Sequence, residues 1–239
     1  VRSMKSIVEY YTPTKEIPVP DHYFEIEIKS WDEVIQPLLE EVANRYGESD
    51  ASDDMIEALG LAGVTTVPDF KQYAKEYYES EYISFAFYNK LMPYILAFYG
   101  ETTEVVINAA ERDEYVAEYL EQIEAFADEE GLPVNDYAQL KLGLRGDIDT
   151  VLKERAVEDY IFKLIAHHIF KEKGHELDEL TYERFIQQNV LQSGADEIDL
   201  RGRYPYEVFK KIMPEMSYST ELFEFFKPKF KFKITGSEA

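Results

Sequence analysis

Hydrophobic positions change period along this chain, and the changes mark its elements. From Tyr23 to Lys29 they alternate, with Phe24, Ile26 and Ile28 on one side and Glu25, Glu27 and Lys29 on the other, the period-two signature of a half-buried strand. The alternation returns at Lys229–Ile234, where Phe230, Phe232 and Ile234 share one face and Lys229, Lys231 and Lys233 the other. One strand is acid-faced and the other base-faced. Cross-strand ion pairs, each worth roughly tenths of a kcal/mol, favour their pairing, which would bring the two ends of the chain together. Two independent edge segments satisfy the same pattern, because alternation fixes neither register nor partner.

Between these strands the spacing becomes helical. Ser30 caps a helix that starts near Trp31, or one that starts at Pro37, and either runs to Tyr46 before Gly47. Glu48–Asp54 is polar linker. Thr66 is placed as the N-cap of a long helix with Pro68 in its first turn, a kink at Pro93 and a stop at Gly100. Further helices are expected over Glu111–Glu130, Ile148–Lys173 and Asp178–Ser193, with short turns that favour antiparallel neighbours. Ahead of all of them, Val1–Asp21 carries Pro13, Pro18 and Pro20 and reads as an extended arm. The expected fold is mainly α, an elongated helical domain with projecting arms plus a small terminal β pairing. Residues 1–50 would form an arm, strand and short helix, and residues 51–239 the helical domain.

One order of pieces carries a family resemblance. Asp53–Tyr78 has the form of a junction helix. It is followed by Glu130-Gly131-Leu132, Tyr137, Asp147–Asp149, a helix end at Lys171–His175, and Leu177-Asp178-Glu179 opening the next helix. Tyr204–Phe209 then starts a short helix, trailed by Leu222, Phe223, Phe225 and Phe226. Over Asp53–Phe226 this resembles the C-terminal, substrate-cradling domain of trigger factor, the ribosome-associated bacterial chaperone, with its SurA-like fold. The resemblance implies a non-catalytic folding helper that binds apolar segments of unfolded or nascent polypeptides. The family's Gly-Phe-Arg-x-Gly-Lys ribosome-docking loop is missing from these residues. Its FKBP-like isomerase domain needs about 100 residues of strands around an aromatic pocket, whereas one clear strand precedes Asp53. Prolyl isomerase activity is therefore not expected.

Composition narrows the partners. With 45% hydrophobic and 15% aromatic residues the chain has ample core material. A formal charge of −23 argues against nucleic acid and anionic membranes, both of which are met with Lys and Arg. Cysteine is absent, which rules out disulfides and thiolate metal sites. The longest apolar run, Tyr94–Tyr99, is too short to cross a bilayer. The expected compartment is the cytoplasm, or an extracytoplasmic one if a leader preceded Val1.

Three side-chain groups are candidates for function. Tyr73, Tyr77, Tyr78, Tyr82, Phe85, Phe87, Tyr88, Tyr94, Phe98 and Tyr99 are too many for one helical stripe, so some rings should line an accessible surface. Client contact is assigned to Tyr73, Tyr77, Tyr78, Phe85 and Tyr88, and to Tyr115, Tyr119 and Phe126 of the following helix. Beside these last three, Glu118, Glu121, Glu124, Asp128, Glu129 and Glu130 form an acidic face that serves the solubility of an exposed arm or, in a second reading, attracts basic client segments. His167 and His168 are adjacent and cannot make an i, i+4 ligand pair, while His168 and Glu172 have that spacing as a polar pair. Phosphate loops and nucleophile elbows are missing from the sequence, and neither His167 nor His168 has Glu three residues before it as a di-iron bundle requires, so no cofactor, metal or catalytic residue is assigned. Two readings follow: a holdase that shields many clients weakly, or an interaction protein using the same surface for one dedicated partner or another copy of itself.

Overall fold

The computed structural model describes residues 5–236, apart from the side chain of residue 192. Its order is β1 (Ile7–Tyr10), β2 (Glu25–Ile28), α1 (Trp31–Arg45), α2 (Asp53–Glu57), α3 (Val67–Ala86), a π-helical turn (Phe87–Leu91) and α4 (Met92–Thr102). Then come β3 (Glu104–Val106), α5 (Ala109–Glu129), α6 (Val134–Leu140), α7 (Ile148–Glu172), α8 (Glu179–Ser193), α9 (Glu197–Arg203), α10 (Tyr206–Phe226) and β4 (Lys231–Ile234). The chain is mainly helical, and its described residues form two two-stranded sheets, β1 with β3 and β2 with β4.

Two compact units result. One holds Tyr94–Glu224 together with the chain up to Ile17, and the other holds Pro18–Pro93 together with the chain from Phe225 on. These limits do not follow the expected division near residue 50. Each unit is closed by a strand from far away in sequence, so no linear reading of linkers could place the boundaries.

In the second unit the helix starts are set by side-chain caps. Ser30 Oγ accepts from the Glu33 amide at 3.1 Å, which selects the start at Trp31 over the one at Pro37. Thr66 and Asp69 form a reciprocal capping box at 3.2 and 3.1 Å, with Pro68 in the first turn of α3. Ile35, Leu39 and Val42 of α1, Ile56 of α2, and Phe70 and Ala74 of α3 make the core. The anticipated pairing of the terminal strands is present and parallel: Glu25, Ile26, Glu27 and Ile28 register against Lys231, Phe232, Lys233 and Ile234. Lys233 Nζ lies 3.5 Å from Glu27, and Phe24 packs on Phe226 and Phe230 beneath the sheet.

α7 is the centre of the first unit. Its eleven buried residues spread around the helix rather than along one stripe, so it is packed on several sides. Gly100 does not stop a helix as expected but sits inside α4. A Cβ there would meet Glu158 Cγ of α7 at 2.9 Å, so glycine is what the close approach of the two helices requires. The segment expected to be an extended arm is docked over its described residues. β1 pairs antiparallel with β3, and Ser6 is buried: its Oγ lies 2.8 Å from the Tyr160 hydroxyl and accepts from the Asn108 amide at 2.8 Å. The Lys5 and Ser6 amides donate to Glu111. Burial opposes ionisation of that carboxyl, but these hydrogen bonds hold it below its usual range. Farther along, Tyr99 donates to the Thr12 carbonyl at 2.9 Å. The helix opened at Tyr206 is also longer than expected, running 21 residues through Pro214.

Candidate functional site

In the second unit, α3 carries a row of solvent-facing rings. Tyr73, Tyr77 and Phe85 follow i, i+4, i+12 spacing, so they share one side of the helix, and Glu81 fills the intervening position. Tyr77 is 54% and Phe85 61% exposed, large values for such residues, and Tyr73 and Tyr88 are exposed as well. Tyr78 is half-buried and meets Tyr77 edge-on. The row ends in the π-helical turn, where the Asn89 side-chain amide donates to the Phe85 carbonyl at 3.0 Å. Such a turn widens the helix by one residue, and it falls before the proline where a kink was expected. Charge flanks the rings, with Lys75 and Glu79 paired at 3.7 Å and Glu76 and Glu81 exposed.

Beside this row two open clefts run along β2. One, of about 410 Å³, is lined by Ile26–Ser30, by Glu33 and Val34 of α1, and by Tyr82. The other, of about 340 Å³, is lined by His22, Glu25–Glu27, Tyr82, Phe85, Ala86 and Lys90. They share Ile26, Glu27 and Tyr82, which makes them two halves of one trough, and no residue of β4 lines either half. Tyr82 is fixed between Trp31 and Phe232, with ring centroids 6.4 Å away in each case. The trough went unrecognised from sequence. Its signal lies in β2, which alternates acid and apolar residues and has two edges to pair.

In the first unit the remaining assigned rings serve packing to different degrees. Tyr115 is half-buried, donates its hydroxyl to Asp159 in a short hydrogen bond, and lies under Lys163 Nζ at 4.7 Å from its ring. Tyr119 packs on the cluster of Ile123, Ala138, Leu144, Ile148 and Leu152, whereas Phe126 is exposed. The acidic positions from Glu118 to Glu130 are all exposed. Sequence reasoning also missed an ionisable set between α5, α7 and α10. Asp159, Lys163 and His167 recur every four residues on α7, and Glu215 of α10 lies 3.5 Å from Lys163. Burial pushes the Asp159 carboxyl up, and pushes Glu215 up to about 7. Burial and then Lys163 push His167 down to about 4. His167 Nε2 has no hydrogen-bond partner among the described residues. Such a set stores charge in the packing between helices.

His168 and Glu172 meet at 3.2 Å as a polar pair. Among the described residues no group of three or more His, Asp or Glu side chains is arranged to hold a metal ion, and no helix is long and apolar enough to cross a membrane. Comparison with family models, curated proteins and solved structures finds no match for this chain.

Proposed function

We propose that this chain is a non-catalytic polypeptide-binding protein, a holdase-type chaperone in the manner of the trigger factor C-terminal domain. Its clients are unfolded or nascent chains in the cytoplasm of a bacterium, held through their apolar segments. The observation that carries this reading is the exposed ring row Tyr73, Tyr77 and Phe85 of α3 with Tyr88 of the π-helical turn that follows it. Large rings offer apolar area to many sequences, tyrosine hydroxyls keep that area wettable, and flanking glutamates discourage self-association. The charge of −23 keeps nucleic acid from competing for the surface.

The test is light scattering from a chemically denatured model protein diluted into buffer with and without an equimolar amount of this chain. Suppression of scattering is expected. Replacing Tyr77 and Phe85 together by Ala should weaken it severalfold with the far-UV circular dichroism unchanged, because both rings are exposed. Scattering indifferent to the wild-type chain would defeat the reading and turn attention to one dedicated partner.

A further inference from the structure

β2 has β4 on one edge and no strand on the other among the described residues. An edge strand presents a row of main-chain donors and acceptors that a further strand can satisfy. Here the trough runs along β2 with no residue of β4 in its lining, and its walls are α1 and α3, with the aromatic side chain of Tyr82 in both halves, Phe85 in one and Val34 in the other. Folding has already shown what β2 accepts. On its occupied edge Lys231 and Lys233 stand opposite Glu25 and Glu27, and Phe232 and Ile234 opposite Ile26 and Ile28. The acids face solvent, Ile28 is buried and Ile26 half-buried, so the open edge offers the same alternation to a second neighbour. Glu25 makes no ion pair with any described residue and is available to a ligand.

We infer that the open edge of β2 is a binding site for an extended polypeptide segment in which basic and apolar residues alternate, added as a third strand. Main-chain hydrogen bonds hold the segment, Glu25 and Glu27 meet its basic residues on the solvent side, and the Tyr82 ring takes its apolar side chains. A four-residue edge spans about 13 Å, enough for two apolar and two basic positions. A β2 strand from another copy does not fit, because glutamates would stand opposite glutamates. This assignment rests on the polypeptide-binding reading and adds to it: alongside weak ring contacts, a client would be read by charge and by strand register.

The experiment uses a fluorescein-labelled peptide, Lys-Phe-Lys-Ile-Lys-Phe, titrated with the full chain while its anisotropy and the emission of Trp31, the only tryptophan, are followed. Trp31 lies 5.0 Å from the Phe232 ring and one residue from the trough lining, so its emission should respond. Saturable binding is expected. It should fall at least tenfold for the same peptide N-methylated at alternate residues, for the charge-reversed peptide with Glu in place of Lys, and for the Glu25→Lys variant. Glu25 is exposed, so that variant should retain the wild-type circular dichroism. Equal binding of the parent and N-methylated peptides would overturn strand addition even if the variant failed to fold. Self-association in sedimentation that Glu25→Lys abolishes would also overturn it, assigning the edge to β4 of a second copy. Loss of peptide binding while scattering is still suppressed would remove this site and leave the holdase reading standing. Peptide binding without suppression would keep the site and remove the holdase reading.

Discussion

Replacing Glu215 by Gln should stabilise the protein near pH 8.5 and leave it almost unchanged near pH 5. Glu215 faces Lys163 and Asp159 of α7, and a quarter of its side chain reaches solvent. Burial is the main cause that raises its carboxyl from 4.5 to about 7; Lys163 opposes the shift and Asp159 adds to it. An acid raised in the folded state keeps its proton after the unfolded chain has lost one. Stability from this group is therefore fully present below about 4.5, declines as pH climbs to about 7, and is level above that. At 1.36 kcal/mol per pH unit the whole interval amounts to roughly 3 kcal/mol. Solvent access to part of the side chain brings the expected gain for Gln to about 1–3 kcal/mol. His167, held down at about 4, costs stability as pH falls below 6.5, but it is present in both proteins and cancels. Urea unfolding by far-UV circular dichroism at the two pH values gives the difference from midpoint and slope. A variant that is less stable at pH 8.5, or equally shifted at both, would show that the Lys163 ion pair outweighs burial and would refute the reasoning.

Three substitutions test the packing. Thr66→Ala removes half of the capping box on α3 and should cost roughly 1 kcal/mol in urea unfolding, with Thr66→Ser restoring most of it. Gly100→Ala gains about 1 kcal/mol of helix propensity but drives a Cβ to within 2.9 Å of Glu158 Cγ, so a net loss of about 1–2 kcal/mol should lower the thermal midpoint. Gly236 donates its amide to the Lys29 carbonyl at 2.9 Å, and a Cβ there would lie 2.6 Å from the same oxygen. Gly236→Ala should therefore loosen β4 from β2 and shift Trp31 emission, because Trp31 packs on Phe232.

Local chemistry in this chain was legible where a side chain answers its own backbone. Ser30 and Thr66 read as caps, and both accept from an amide three residues on. The pairing of β2 with β4 was legible for another reason, since opposite charges alternate in phase on two isolated strands. What escaped notice depends on contacts distant in sequence. Nothing near Gly100 announces that α7 passes close by, so a glycine reads as a stop. β1, Ile7–Tyr10, is too short and its pairing too irregular, with a register shift between Val8 and Tyr10, to stand out from a proline-marked arm. Tyr204–Phe209 reads as the start of a short helix, yet α10 runs on through the buried Pro214, because packing against neighbours outweighs the one hydrogen bond a proline removes. For the ring row the spacing identified the face, but exposure of Tyr77 and burial of part of Tyr78 are decided by what packs on α3, which spacing does not contain.

Charge, more than apolar pattern, selects the neighbour of β4. Its Phe232 and Ile234 could lie against the apolar residues of β1, β2 or β3, since each of these short strands offers them. Only β2 sets two glutamates at alternate positions opposite Lys231 and Lys233. Basic residues are scarce here, 25 against 48 acids, and four lysines of that small number fall between Lys227 and Lys233. In so acidic a chain a basic strand has few neutral places to go but many acidic ones, and strand alternation decides among them. Each cross-strand pair contributes only tenths of a kcal/mol, so the apolar side chains must supply most of the stability and the charges the choice. A strand edge that selects by charge while folding keeps that preference on its other side, and there the trough gives a second neighbour room to arrive.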